Sequence, residues 1–260
     1  YKRQPIRKLA PLADAAKQRG VHVFHLNIGQ PDLPTPQAAI DAIRNIDRKV
    51  LEYSPSAGNR SYREKLVGYY AKFNINLTAD DIIITSGGSE AVLFSFLSCL
   101  NPGDEIIVPE PAYANYMAFA ISAGAKIRTI ATTIEEGFSL PKVEKFEELI
   151  NERTKAILIC NPNNPTGVVY SEETIQKLAA VLEEKQKEYG TQIYLIADEP
   201  YRELAYDGVE VPYLTKYYRN TIVGYSYSKS LSLPGERIGY LVIPDEVDDF
   251  ENVICAANVA

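Results

Sequence analysis

The chain has 260 residues, 46% hydrophobic and 23% charged, a balance that supports a substantial core and excludes a disordered polypeptide. Its formal charge of −7 is spread along the sequence without a basic block, which argues against a general binder of nucleic acid or anionic membranes.

The first fifty residues open with helical apolar spacing over 6–19 (Ile6, Leu9, Leu12, Ala13, Ala16), stopped by Gly20. An extended stretch with Pro31, Pro34 and Pro36 follows, and a second helix is expected over 36–48. From about residue 80 short apolar runs alternate with longer amphipathic segments. The runs 82–85, 105–109, 125–130, 156–160, 193–197, 221–225 and 238–243 read as strands, and 89–100, 113–123, 143–151 and 172–189 as helices. Repetition of strand and helix predicts an α/β fold with a mostly parallel seven-stranded sheet between two helical layers. Continuous apolar strands such as 193–197 fit burial on both faces. Ser- and Gly-rich sequence, not a helix, joins 221–225 to 238–243, so one strand is expected to run antiparallel. Residues 244–260 read as the first turns of a helix leading elsewhere, which implies further chain beyond Ala260.

Cys99, Cys160 and Cys255 lie far apart in or beside apolar runs and read as buried reduced thiols, not as a disulfide framework or zinc site. The only histidines, His22 and His25, have no further ligand at metal spacing, and no metal is expected. No signal peptide is visible and no apolar run is long enough to span a bilayer; a cytoplasmic location is expected.

In an open α/β sheet, ligands sit beyond the carboxyl ends of the strands, so the residues there carry the chemistry. Thr85-Ser86-Gly87-Gly88-Ser89-Glu90-Ala91 offers flexible glycines, free helix-start N–H groups and a hydroxyl, which suit a phosphate; a tight turn with a helix cap reads equally well. In Pro109-Glu110-Pro111-Ala112-Tyr113-Ala114-Asn115-Tyr116, directly after a strand, the Tyr113 ring either lies on a planar ligand or packs, as tyrosines commonly do. The loop Asn161-Pro162-Asn163-Asn164-Pro165-Thr166-Gly167 is rigid and rich in donors and acceptors, more so than a plain turn requires. Asp198, in Asp198-Glu199-Pro200-Tyr201, is a carboxylate at the end of a buried strand; it is either met by a cation or caps a helix. Lys229 lies in Ser226-Tyr227-Ser228-Lys229, with Arg237 eight residues on. Partial desolvation there would favour the neutral amine that Schiff-base formation needs, although most lysines are simply solvated.

Taken jointly, Asn-Pro-Asn-Asn-Pro-Thr-Gly, then Asp-Glu-x-Tyr, then Ser-x-Ser-Lys with its distant arginine, resemble the fold-type I, class I/II aminotransferases, pyridoxal 5'-phosphate (PLP) enzymes of amino-acid metabolism. The resemblance runs from about residue 26 to 243. It implies that Lys229 holds the cofactor as a Schiff base and shuttles a proton, while Asp198 pairs with the ring nitrogen. Asn164 and Tyr201 would reach the phenolic oxygen and Tyr113 would stack on the ring. Gly88, Ser89 and Glu90, with Ser226 and Arg237, would hold the phosphate. Tyr53, in Glu52-Tyr53-Ser54-Pro55, resembles a tyrosine that reaches the neighbouring subunit's phosphate, implying a homodimer with shared sites. Gly29, in Asn27-Ile28-Gly29-Gln30, resembles the segment beside the substrate, where Asn164 would also lie. The family's main arginine for the substrate α-carboxylate falls beyond residue 260, and no residue here stands in for it.

The domain expectation follows: 1–30 as the N-terminal segment of a small domain and arm, 31–245 as the large PLP-binding domain, and 246–260 as the start of a connection to a small domain. The expected activity is transfer of an amino group from an L-amino acid to a 2-oxo acid. Two alternatives share the site: a PLP-dependent C–S lyase working by β-elimination, and a PLP-binding regulatory domain. Released thiol in place of oxo acid would mark the first; a helix-turn-helix or basic linker, neither present in these residues, would mark the second.

Overall fold

The computed structural model describes residues 9–26 and 28–260; part of the expected first helix, and Asn27, lie outside the described residues. The chain divides into two compact units, 1–32 and 33–260. In the first, α1 (Ala10–Gln18) begins with Pro11 in its first turn, where the missing N–H costs nothing, and gives way at Arg19 and Gly20.

The second unit holds a seven-stranded sheet: β1 (Ile82–Thr85), β2 (Glu105–Glu110), β3 (Lys126–Ala131), β4 (Thr154–Cys160), β5 (Tyr194–Asp198), β6 (Thr221–Ser226) and β7 (Gly239–Val242). Their order across the sheet is β1-β7-β6-β5-β4-β2-β3. Every pairing is parallel except those of β7, which runs antiparallel to both β1 and β6. The expected antiparallel strand is thus the one that follows the Ser- and Gly-rich link, which is too poor in helix formers to make a crossover.

The helices are α2 (Gln37–Arg44), α3 (Arg60–Ala71), α4 (Gly88–Cys99), α5 (Asn115–Ser122), α6 (Val143–Leu149), α7 (Glu172–Tyr189), the single turn α8 (Tyr227–Ser230) and α9 (Phe250–Val259). Alternate strand residues feed two cores. Ile107, Ile157, Ile159, Leu195 and Ala197 point with Leu66, Phe146, Leu178 and Leu182 of α3, α6 and α7. Ile106, Ala156, Leu158, Ile196 and Ile222 point the other way, with Val92, Phe96, Tyr116, Ala120 and Val253 of α4, α5 and α9. Period-two alternation with both faces apolar is what makes these strands read as unbroken hydrophobic runs. The result is the three-layer α/β/α architecture expected.

Ends are set by local chemistry. The Ser171 side chain accepts from Thr174 N–H to start α7, Glu172 and Glu173 occupy its positive end, and Gly190 closes it in the left-handed conformation. Two elements depart from expectation. Helix α3 has no counterpart among the expected helices, and Cys255, expected to be buried, is exposed on α9, unlike Cys99 and Cys160. On α9 it is Val253 and Ala257, four apart, that face the core, which turns Cys255 outward.

Candidate active site

Because β1 to β6 all run in one direction, their carboxyl ends share one edge of the sheet, and β7 enters from that edge. Register fixes the neighbours: Cys160 lies beside Asp198, Asp198 beside Gly224, Ser226 beside Gly239, and Gly239 beside Thr85. The segments starting at Thr85, Glu110, Cys160, Asp198 and Ser226 therefore converge, together with Arg237 at the mouth of β7. Asp198 and Lys229 extend from adjacent parallel strands at this same edge.

Asp198 is buried, and Tyr116 Oη donates to its Oδ2 at 2.5 Å. Burial pushes its carboxyl up to about 7; the Tyr116 hydrogen bond works against that, and the charge of neighbouring Glu199 adds to it. Glu199 is itself buried and meets Arg202, whose Nε lies 2.9 Å from Glu199 Oε2. Asp198 is thus a carboxylate in a dry place whose negative charge a cation would stabilise. Burial drives the Tyr116 hydroxyl far above its ordinary range, so it remains a donor. Cys160 stands next to this pair, its thiol pushed up chiefly by burial and then by the Asp198 charge, which leaves it neutral.

Asn164 Nδ2 donates to Tyr201 Oη at 3.0 Å, joining the Asn-rich loop to the loop after β5. The Tyr113 ring meets Tyr116 edge-on at 5.5 Å and its hydroxyl accepts from Asn115 Nδ2 at 2.6 Å. Lys229 is half-buried on α8, and burial lowers its pKa, which favours the neutral nucleophilic amine.

At the other end of the site the glycines make room. Gly87, at φ +93°, caps α4, and a Cβ there would lie 2.6 Å from Arg237 Nη2. A Cβ on Gly88 would lie 3.1 Å from the Ser226 Cβ. The start of α4, the Ser226 hydroxyl and the guanidinium accordingly crowd one spot. Arg237 is exposed and is held by Pro234 and Ser86 carbonyl oxygens at 3.0 and 3.1 Å, which leaves its charge uncompensated by those contacts. Ser226 Oγ donates to Ser228 Oγ at 2.8 Å. The Glu90 carboxylate accepts from Ser86 N–H at 2.5 Å, so this residue's side chain serves the turn and only its main chain faces an anion favourably.

The sequence expects Tyr53 at a neighbouring subunit's site and Gly29 beside the substrate. Tyr53 is fully exposed, on a loop pinned to β1 by Ile84 N–H donating to Ala57 O at 3.0 Å. Gly29 belongs to the other compact unit. Tyr116 holds the central carboxylate; it closes the segment after β2 that the sequence singles out, but the sequence assigns a role there only to Tyr113.

The sequence pattern described as "Aminotransferase class I and II" matches residues 21–257. The chain belongs to that family. An aspartate aminotransferase of Pyrococcus horikoshii is 36% identical over 249 residues, covering 95% of this chain and 61% of that enzyme. A probable N-acetyl-LL-diaminopimelate aminotransferase of Bacillus subtilis is also 36% identical, covering 92% of this chain and 61% of its own length. Among solved structures, an amino transferase from Eubacterium rectale superposes with a TM-score of 0.91 at 39% identity, covering 99% of this chain and 66% of that one. The chain thus spans roughly three-fifths to two-thirds of these relatives' length.

Class I and II aminotransferases are PLP enzymes, and the residues at this edge fit that cofactor. A buried carboxylate awaits a cation, a half-buried lysine with lowered pKa stands on the adjacent strand's extension, and a glycine-lined cradle with a guanidinium suits a phosphate.

Proposed function

We propose that this chain forms the cofactor-binding part of an aminotransferase that moves an amino group from an L-amino acid to a 2-oxo acid. The observation that carries this reading is the placement of Asp198 at the end of β5 and of Lys229 just beyond the end of the neighbouring parallel strand β6, with Asp198 at its raised pKa of about 7.

PLP, when bound, supplies an aldehyde for amines to condense with and a pyridinium ring that withdraws electrons from the substrate Cα. Lys229 would hold the aldehyde carbon of the cofactor through its amine and would carry the proton that leaves the substrate Cα. Asp198 keeps the ring nitrogen protonated, and Tyr116 orients Asp198 through its 2.5 Å hydrogen bond. Asn164 and Tyr201, already joined to each other, donate toward the phenolic oxygen. Tyr113 covers the ring face. Main-chain N–H groups of Gly88, Ser89 and Glu90, the Ser226 hydroxyl and Arg237 hold the phosphate. Asn164 would border the substrate. We assign residues 1–30 to a small domain and arm, 31–245 to the large domain and 246–260 to a connection. Tyr53, exposed here, completes the phosphate site of a second copy in a homodimer.

Elimination and regulatory readings use the same residues, and nothing in the geometry favours them. Product analysis discriminates: amino acid plus 2-oxo acid should yield the exchanged pair, with no released thiol from a thioether substrate. For the lysine, borohydride treatment of PLP-loaded protein should trap the cofactor on Lys229, and Lys229→Ala should lose that adduct while remaining folded. An undiminished adduct on another lysine would refute the assignment.

A further inference from the structure

The backbone ladder between β5 and β6 closes with Glu199 N–H donating to Gly224 O at 2.9 Å. Beyond it the two strands part, one leading into the loop that follows Asp198, the other to Lys229 on the single-turn helix α8. Side chains reconnect them. Tyr225 Oη donates to Glu203 Oε2 at 2.8 Å and lies 2.7 Å from Ser230 Oγ. A hydroxyl has one proton, so with Tyr225 donating to the carboxylate, Ser230 must donate to Tyr225. Tyr69 donates to the other carboxylate oxygen at 3.1 Å, and the same accounting makes Tyr213 the donor to Tyr69 at 3.3 Å.

Each anchor is stiff. Glu203 lies in the short 3-10 helix Arg202–Leu204, which Arg202 fastens through Glu199, the Val211 and Pro212 carbonyls at 2.7 and 3.1 Å, and the Tyr213 ring 3.6 Å away. The Tyr225 ring is buried and stacked on Tyr240 at 4.9 Å. Burial raises its pKa and the Glu203 charge raises it further, so the donor stays protonated. A carboxylate at the surface is thus tied by two hydroxyls to the residue next to Lys229.

We propose that Glu203 is a positioning residue for Lys229, acting through Tyr225 and Ser230 to lock the helix bearing the amine onto the loop that follows Asp198. The inference rests on the proposed role of Lys229. A cofactor gripped at its ring nitrogen by one arm and at its aldehyde by the other requires the two arms to keep a constant spacing, and small misplacements at a reacting centre slow chemistry strongly.

The test uses PLP as probe and follows borohydride-trapped adduct at Lys229 by peptide mass spectrometry, alongside amide hydrogen exchange over residues 227–231. Tyr225→Phe, Ser230→Ala and Glu203→Ala should each slow adduct formation about five- to tenfold, the size expected for one lost hydrogen bond to a charged network, and quicken exchange in that segment. Ser230→Thr, which keeps the hydroxyl, should restore the parent rate. Tyr213→Phe, which removes only the outer donor, should match the parent, and Glu203→Ala combined with Tyr225→Phe should be no slower than either alone. Parent rates in folded Tyr225→Phe and Ser230→Ala would overturn the proposal, as would equal slowing in Ser230→Thr and Tyr213→Phe. Should Tyr225→Phe not fold, the Ser230 pair decides. If the parent captures no PLP at Lys229, the functional reading fails by itself; amide exchange needs no cofactor, and unchanged exchange in Ser230→Ala and Tyr225→Phe would then overturn the strap.

Discussion

Asp198 shows how burial turns a common side chain into a specific one. Its carboxyl is raised from the ordinary 3.8 to about 7, so without cofactor the folded protein binds a proton there that the unfolded chain has already released. Stability contributed by this group is therefore greatest below pH 4, falls as pH rises through the interval from 4 to 7, and is level above it. In cofactor-free protein, Asp198→Asn should gain on the parent as pH rises from 5 to 7, by up to about 1.4 kcal/mol per pH unit. Denaturant unfolding at several pH values checks this; a pH-independent gap would mean the carboxyl titrates elsewhere. Arg202 presents the complementary case. Its guanidinium neutralises buried Glu199, and Arg202→Met would leave that carboxylate without its cation, costing about 3–5 kcal/mol by urea unfolding.

Among elements, the glycines at the phosphate end illustrate close approach. A Cβ on Gly239 would collide with the Tyr225 carbonyl and with Gly87 main-chain atoms, neither of which can yield as a flexible side chain would. Gly239→Ala should lower the melting temperature and weaken PLP binding together, because the same shift displaces β7 and the cap of α4. Calorimetry and cofactor fluorescence would measure both; an unaltered affinity would count against the cradle. Helix α3 teaches the opposite lesson. It buries only Arg63, Leu66 and Tyr70, one of them charged, so its apolar stripe is too thin to stand out from a polar segment. The central strands were legible for the converse reason: two apolar faces leave no polar interruption, as in β4 and β5, whereas edge strand β3 carries Lys126, Arg128 and Thr129.

For the molecule as a whole, the sheet topology gathers five separate loops at one edge, and the chain spans 61% of the length of the Pyrococcus horikoshii relative. Among described residues, no helix is long and apolar enough to cross a membrane. Exposed Tyr53 bears on assembly. If it serves a second copy, sedimentation should report a dimer, and Tyr53→Phe should weaken PLP binding without altering unfolding, since its ring touches little within its own chain. A monomer with full cofactor affinity would remove the shared-site reading.

Local composition determined the seven strands, the large helices after residue 80 and the motifs beyond the strand ends, because periodicity, glycine placement and clustered amides are properties of neighbours in the chain. Tertiary structure alone decided that Tyr116 meets Asp198 across 82 positions, and that Glu203 meets Tyr225 across 22. It also decided which side of α9 faces the core. Such contacts depend on which strands become adjacent, and strand order is fixed by the burial of both sheet faces at once, a condition that no short stretch of sequence contains.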